Sequence, residues 1–218
     1  TLAKLVETLC AMRAAGHRVV LVSSGAVGVG CQRLGVTKRP EGMAELQAMA
    51  AIGQPHLMSH YETSFSALNQ PIAQVLLTAD TLGTRSGYLN ARATFDALFA
   101  LGVVPVVNEN DTVAVNELRF GDNDTLSALV ATLVGADHLF LATDVDALYT
   151  SNPFAPRAEG VPPPEPIREV TDLVAVMGVA DGSGSQWGTG GMGTKLRAAQ
   201  LAGAAGIATS IVHAQRPE

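Results

Sequence analysis

Short apolar runs of strand length alternate along this chain with stretches whose apolar residues recur at helical spacing. Leu2, Leu5, Val6 and Leu9 mark a first helix that stops at Gly16, a favourable residue just past a helix end. Residues 18–23 (RVVLVS) read as a buried strand, followed by a helix over 25–35 and a polar loop holding Pro40. Residues 43–67 read as helix, interrupted near Gly53-Gln54-Pro55 because proline lacks a donor and crowds the preceding turn. A strand at 72–78, a polar loop, a helix over 86–101 and a strand at 103–107 come next. Leu126, Leu129, Val130 and Leu133 lie at i, i+3, i+4 and i+7 in a helix over 124–135, and 138–143 (HLFLAT) forms another strand. Residues 151–168 carry six prolines and read as an irregular excursion. A Gly/Ser-rich loop over 178–193, a helix over 194–205 and a strand at 207–213 complete the pattern. Buried strands alternating with amphipathic helices predict an α/β fold, a three-layer α/β/α sandwich with a mostly parallel open sheet. No internal repeat or domain boundary interrupts residues 1–218, which read as one domain.

Composition narrows the function. With 218 residues, 47% hydrophobic and 16% charged, the chain can bury a full core. Its net charge of −6 disfavours a nucleic-acid partner, which needs a basic face to replace phosphate counterions. Anionic substrates must then be held by a few local groups. Cys10 and Cys31 are too few for a disulfide framework and lack metal-ligand spacing, so a reducing, cytoplasmic setting is expected. No apolar run reaches the length of a membrane span. The chain has no initiator methionine or leader-like segment and opens on a helix, so a first strand is expected to be missing ahead of it.

Three places carry chemistry. Where the strand at 103–107 ends stand Asn108-Glu109-Asn110-Asp111, and Gly121-Asp122-Asn123-Asp124 opens the next helix. Ligands bind at the carboxyl ends of strands in open α/β sheets, and such a cluster can hold an ammonium group, a Mg²⁺ ion or a lysine. Asp and Asn are also the preferred turn and N-cap residues, so Asp122, Asn123 or Asp124 could simply cap the helix. The second place is Gly188-Thr189-Gly190-Gly191-Met192-Gly193-Thr194-Lys195, a glycine-rich turn into a helix. Its amides and the helix dipole suit phosphate, and Lys195 in the first turn opposes the dipole unless an anion is present. It matches G-x-G-x-x-G without directly following a strand, and it is not a Walker A loop. The third is Ser23-Ser24-Gly25-Ala26, where a hydroxyl and amides at a helix start can hold a carboxylate or phosphoryl oxygen, or where a serine merely caps. His56 and His60 lie at i, i+4 but lack the H-E-x-x-H pattern, and no metal site is expected there.

Taken in order, LVSSGAVGVG, MAELQAMAAIGQ, YLNARATFDAL, GVVPVVNENDTVAVNELRFGDNDTLSAL, LATDVDALYTSNP and GTGGMGTKLRAA resemble successive motifs of the glutamate 5-kinases, within the amino acid kinase superfamily. The resemblance covers nearly the whole chain. It implies the amino acid kinase fold and ATP-dependent phosphorylation of the L-glutamate side-chain carboxylate, the first step of proline biosynthesis. It further implies ATP with Mg²⁺ as co-substrate, no prosthetic group, L-proline as feedback inhibitor and a homo-oligomer. Residue by residue, it places Ser24, Gly25, Asn108, Asp111 and Asn123 around glutamate. Thr143 and Asp144 fall at the nucleotide turn, and Thr189, Gly190, Gly191, Met192, Gly193, Thr194 and Lys195 over the ATP phosphates. Lys195 stabilises the transferred group in this scheme, and Asp124 orients the active-site lysines.

Two departures accompany the likeness. The family's opening strand with its K-x-G-S motif has no counterpart here, and neither do its closing segment and the PUA domain of some members. A kinase domain cut at both ends is the resulting expectation. Another superfamily member, of acetylglutamate or uridylate kinase type, and a non-catalytic glutamate- or nucleotide-binding module are the alternatives.

Overall fold

The computed structural model describes residues 2–114, 122–144, 147–150, 162–173, 176 and 191–214. It divides into two compact units, Thr1–Leu126 and Ser127–Glu218.

The first unit contains α1 (Leu2–Ala14), β1 (Leu21–Val22), α2 (Ala26–Arg33), α3 (Met43–Ser66), β2 (Ile72–Leu77), α4 (Ala79–Gly83), α5 (Arg85–Ala100), β3 (Val104–Glu109) and the start of α6 (Asn123–Val134). Its sheet has the order β1-β3-β2, with both pairings parallel. The central strand β3 is buried at all six positions, which is why its first four residues read as a continuous apolar run and not as an alternation. Val104 and Val106 pack against Val6 of α1 and Tyr61 and Phe65 of α3. Pro105 and Val107 alternate with them and are also fully buried, so both faces of the strand are covered.

The strand expected over 18–23 pairs only at Leu21 and Val22. Pro105 supplies the reason. The amide of Val104 points to the β2 side, onto the carbonyl of Pro71 at 3.0 Å. The next residue therefore faces β1, and there a proline has no N–H to donate. Pairing is taken up beyond it, with Ser23 N–H donating to the Val107 carbonyl at 2.8 Å.

The interruption expected at Gly53-Gln54-Pro55 does not occur, because α3 runs unbroken with Pro55 inside it. An interior proline costs about 3 kcal/mol and leaves the carbonyl four residues earlier, that of Ala51, without its helical donor. Close packing on α2 offsets this. A Cβ on Gly53 would lie 1.8 Å from the Ala26 carbonyl oxygen, and one on Gly30 would lie 2.0 Å from that of Met49. The two helices meet backbone to backbone at these glycines, around a cluster of Ala26, Val27, Cys31 and Ala50. The polar loop expected after β2 holds the short α4, whose first turn is capped by the Thr78 hydroxyl accepting from Thr81 N–H.

The second unit takes in the rest of α6, β4 (His138–Thr143), β5 (Leu148–Tyr149), β6 (Pro166–Ile167), α7 (Met192–Ala204) and β7 (Ala208–His213). Strands β4 and β7 pair in parallel from His138↔Ala208 to Thr143↔His213. Leu139 and Leu141 point into a core formed with Ala128 and Ala131 of α6, Ala198 and Ala202 of α7, and Ile207. The short β5 and β6 pair antiparallel, and Leu148 packs with Leu196 beside Met192, Ile167 and Val170. The α/β class expected from the sequence holds, with open parallel sheets. Among the described residues no helix is long and apolar enough to cross a membrane.

Candidate active site

Because β1, β3 and β2 are parallel, their carboxyl ends share one edge of the first unit's sheet, and the polar residues read from the sequence fall there. Chain direction at β1 turns on Gly25, which adopts φ +108° and ψ −3° at the N-cap of α2. Nothing would touch a Cβ at that position, so the backbone conformation, not lack of space, calls for glycine. No side chain caps α2, and Ser24 is exposed. The capping role weighed for this serine is therefore not the one it takes.

The buried partner is Ser23, 6% exposed. Its hydroxyl donates to the Ser24 carbonyl at 3.1 Å and lies 2.7 Å from the Tyr61 hydroxyl. Since a serine has a single hydroxyl proton, Tyr61 is the donor to Ser23. On the other side of the turn, the Ser23 carbonyl accepts from Asn123 Nδ2 at 2.6 Å. Asn123 Nδ2 also donates to Asn108 Oδ1 at 3.2 Å, and Asn108 Nδ2 donates to Gln54 Oε1 at 2.9 Å. Asn108 Oδ1 takes a second bond from the Glu109 amide at 2.9 Å. Elements β1, α3, β3 and α6 are thus tied at their polar ends by one network.

The remaining residues of the two clusters divide by role. Asp122 is the helix cap, accepting from Thr125 N–H at 2.7 Å and from the Thr125 hydroxyl at 3.2 Å. With Asp122 capping, Asn123 is released for the network. Asp124 sits in the first turn of α6, half-buried. Asp111 is half-buried in the turn after β3, where the Val113 and Ala114 amides both reach the Asn110 carbonyl. Gln47 Nε2 fixes the far end of that turn by donating to the Ala114 carbonyl at 3.1 Å.

In the second unit, Thr143 ends β4 and its hydroxyl donates to Asp144 Oδ1 at 3.2 Å. Helix α7 starts two residues earlier than expected, at Met192, because Gly191 serves as its N-cap. The Thr194 hydroxyl accepts from Gly191 N–H at 2.9 Å and donates back to the Gly191 carbonyl at 2.7 Å. Met192 packs on the Leu148–Leu196 cluster, and Gly193 follows it in the first turn. Lys195 is only 8% exposed. Thr189 and Gly190 lie outside the described residues. Among the described residues no three of His, Cys, Asp and Glu gather as metal ligands.

Gln54 and Tyr61 were not picked out by sequence reasoning, and Ser23, named within the Ser23–Ala26 turn, was not told apart there from Ser24. A signal was present: Gln54 and Tyr61 are seven residues apart on one helix, hence on one face, interleaved with Leu57, Met58 and Phe65. Tyr61→Phe leaves a buried acceptor position on Ser23 unmet, and is expected to cost about 1–2 kcal/mol and lower the Tm by several degrees. Burial pushes the Tyr61 phenol above its ordinary range. A raised folded pKa means that the folded state keeps a proton which the unfolded chain releases from about pH 10. The stability Tyr61 contributes is intact below that pH and is lost as pH rises through its folded value. Paired thermal melts should therefore show the gap between parent and Tyr61→Phe narrowing above about pH 10.

The sequence profile of the amino acid kinase family matches residues 1–213. The chain belongs to the amino acid kinase family. Among its relatives, the glutamate 5-kinase of Synechocystis sp. is 57% identical over 218 residues, covering all of this chain and 57% of that protein. The glutamate 5-kinase of Nostoc sp. is 59% identical over 220 residues, again over the whole chain and 57% of the relative. This amino acid kinase chain thus spans a little over half the length of the curated relatives it matches. Solved structures carry the same fold. The aspartate kinase from Synechocystis aligns with a TM-score of 0.64 at 16% identity, over 100% of this chain and 36% of that one. The T. acidophilum isopentenyl phosphate kinase aligns with a TM-score of 0.61 at 14% identity, over 99% of this chain and 84% of that one.

Proposed function

We propose that this amino acid kinase transfers the γ-phosphoryl group of ATP·Mg²⁺ to the side-chain carboxylate of L-glutamate, the first step of proline biosynthesis. The observation that carries the proposal is the 57% identity, over all 218 residues, to a protein named glutamate 5-kinase. The polar edge of the first unit fits the acceptor. Asp111 pairs with the α-ammonium, and Ser24 with the Gly25 amide receives a carboxylate at the uncapped start of α2. Asn108 and Asn123 bind beside them, held by the network described above. The nucleotide falls to Thr143, Asp144 and residues 189–195, with Lys195 stabilising charge on the transferred group and Asp124 orienting active-site lysines.

The chemistry asks little of the protein beyond placement and charge stabilisation. A glutamate side chain is already ionised at neutral pH, so its oxygen attacks the γ-phosphorus with no general base. The bond between the γ-phosphorus and the bridging oxygen breaks, and ADP leaves with the electron pair. The product is a mixed carboxylic–phosphoric anhydride. L-Proline also carries a cationic α-nitrogen, a secondary ring ammonium, beside its α-carboxylate and competes at the same groups. Oligomerisation and a cytoplasmic setting complete the proposal, the latter in keeping with the free thiols of Cys10 and Cys31.

Hydroxylamine intercepts acyl phosphates, so the test is ATP·Mg²⁺-dependent hydroxamate formation by the protein with a panel of acceptors. Glutamate is expected to exceed N-acetylglutamate, aspartate and UMP by about 10²-fold or more in kcat/KM, because groups built for an ammonium are left unpaired by the others or are misplaced. Preference for N-acetylglutamate, or ADP release driven by UMP and not glutamate, overturns the proposal.

A further inference from the structure

The directions of the hydrogen bonds around Asn108 are fixed by backbone groups at both ends. The Glu109 amide can only donate, so the atom it meets on Asn108 is the carbonyl oxygen. The other Asn108 atom is then the NH₂, and its partner on Gln54 must be that residue's carbonyl oxygen. Independently, the Ser23 carbonyl can only accept, so the Asn123 atom 2.6 Å from it is the NH₂. That same NH₂ supplies the second bond to Asn108 Oδ1. Both Asn123 amide protons are consumed by the protein. Two atoms remain without a partner among the described residues: Asn123 Oδ1, an acceptor, and Gln54 Nε2, a donor.

We infer that Gln54 is a positioning residue which holds the Asn108 side chain and so, together with the Ser23 carbonyl, steadies Asn123 with its carbonyl oxygen placed to accept a hydrogen bond from the substrate ammonium group. This inference rests on the glutamate kinase proposal for the identity of the substrate, and on the network alone for the polarity. A carbonyl held in this direction favours a ligand that brings N–H donors. Without the Gln54 anchor Asn108 could swing away, and Asn123 would keep its bond to the Ser23 carbonyl but lose the second bond that holds its carbonyl oxygen in place. Gln54 is suited to the task by its place on α3, one residue from the Gly53 contact that clamps this helix on α2. Its carbonyl is thereby delivered from a rigid element.

Only the Gln54 acceptor matters to this relay, which separates two substitutions of similar size. Gln54→Leu removes the acceptor, whereas Gln54→Glu keeps one. Gln54→Leu is expected to raise the glutamate KM about tenfold, the effect of losing one neutral hydrogen bond's worth of positioning, with the ATP KM changed by no more than about twofold. Gln54→Glu is expected to stay within about threefold of the parent in both constants. Unchanged glutamate KM in the leucine variant, or a glutamate variant as impaired as the leucine one, overturns the inference. A readout independent of turnover comes from the parent protein without substrate. In ¹⁵N–¹H spectra the Asn123 side-chain NH₂ should have both protons slow to exchange, and the Gln54 NH₂ should exchange fast. Fast exchange at Asn123 in the parent overturns the relay whatever the substrate. Slow exchange there with no glutamate phosphorylation upholds the relay and rejects the glutamate proposal instead. The same spectra of the glutamate variant decide the matter should the leucine variant not fold, since its Asn123 signals should stay slow.

Discussion

Replacing Lys195 with alanine is expected to lower kcat by about 10²-fold or more while leaving the glutamate KM nearly unchanged. The expectation comes from where the lysine lies. It is only 8% exposed, one residue beyond the Thr194 that ties the start of α7 to Gly191. A positive charge near a helix N-terminus opposes the dipole, and burying it adds a desolvation cost, so the position makes physical sense when an anion is at hand. The first-turn amides attract the same anion. If that anion is the γ-phosphoryl group, the lysine acts most strongly as charge redistributes between the leaving ADP and the carboxylate oxygen, which places its effect in kcat. Arginine should restore activity only in part, because a planar fork does not occupy the space of a compact ammonium group. Steady-state kinetics of the alanine and arginine variants, with ATP and glutamate varied in turn, make the comparison. Near-normal turnover in the alanine variant would remove Lys195 from the transition state.

The ordering of strands and helices was legible because β3 and β4 carry unambiguous patterns. Strand β3 is buried throughout and apolar over its first four residues, while β4 alternates between buried Leu139 and Leu141 and exposed His138 and Phe140. What escaped the sequence depended on contacts between distant segments. Proline at position 55 breaks helices in general, yet α3 continues because glycines on two helices allow an approach that no single helix pattern encodes. Proline at position 105 shortened β1 through a strand more than eighty residues away in the chain, and only the register reveals it. The carboxylates and amides at 108–111 and 122–124 stood out by composition, but composition could not say that Asp122 would cap and Asn123 would bond to the Ser23 carbonyl. Gln54 was hidden for a related reason. Placed between glycine and proline it read as part of a break, whereas its side chain accepts from Asn108, which lies 54 residues further on.

A second large effect is expected from Asp111→Ala, which should raise the glutamate KM by about 30-fold or more with the ATP KM changed little. An α-ammonium left without its counter-charge in a partly desolvated site loses about 2–5 kcal/mol, and the lower end of that range corresponds to about 30-fold. The turn that carries Asp111 is held by several hydrogen bonds. The Asn110 amide donates to the Leu77 carbonyl at 2.8 Å, the Val113 and Ala114 amides close on the Asn110 carbonyl, and Gln47 holds Ala114 from α3. Removing one carboxylate from a turn tied down by backbone bonds should leave its shape intact, so the loss should reflect the missing charge and not a collapsed loop. Asp111→Asn keeps the size and an acceptor oxygen without the charge, and should fall between parent and alanine. The ratio of the two variants then measures how much of the recognition is Coulombic. Raising the salt concentration should narrow the gap between parent and Asp111→Asn to the extent that the site stays open to solvent. An alanine variant with the parent's glutamate KM, or one in which the ATP KM rises as much as the glutamate KM, would take Asp111 out of the acceptor site and leave the ammonium to Asn123 alone.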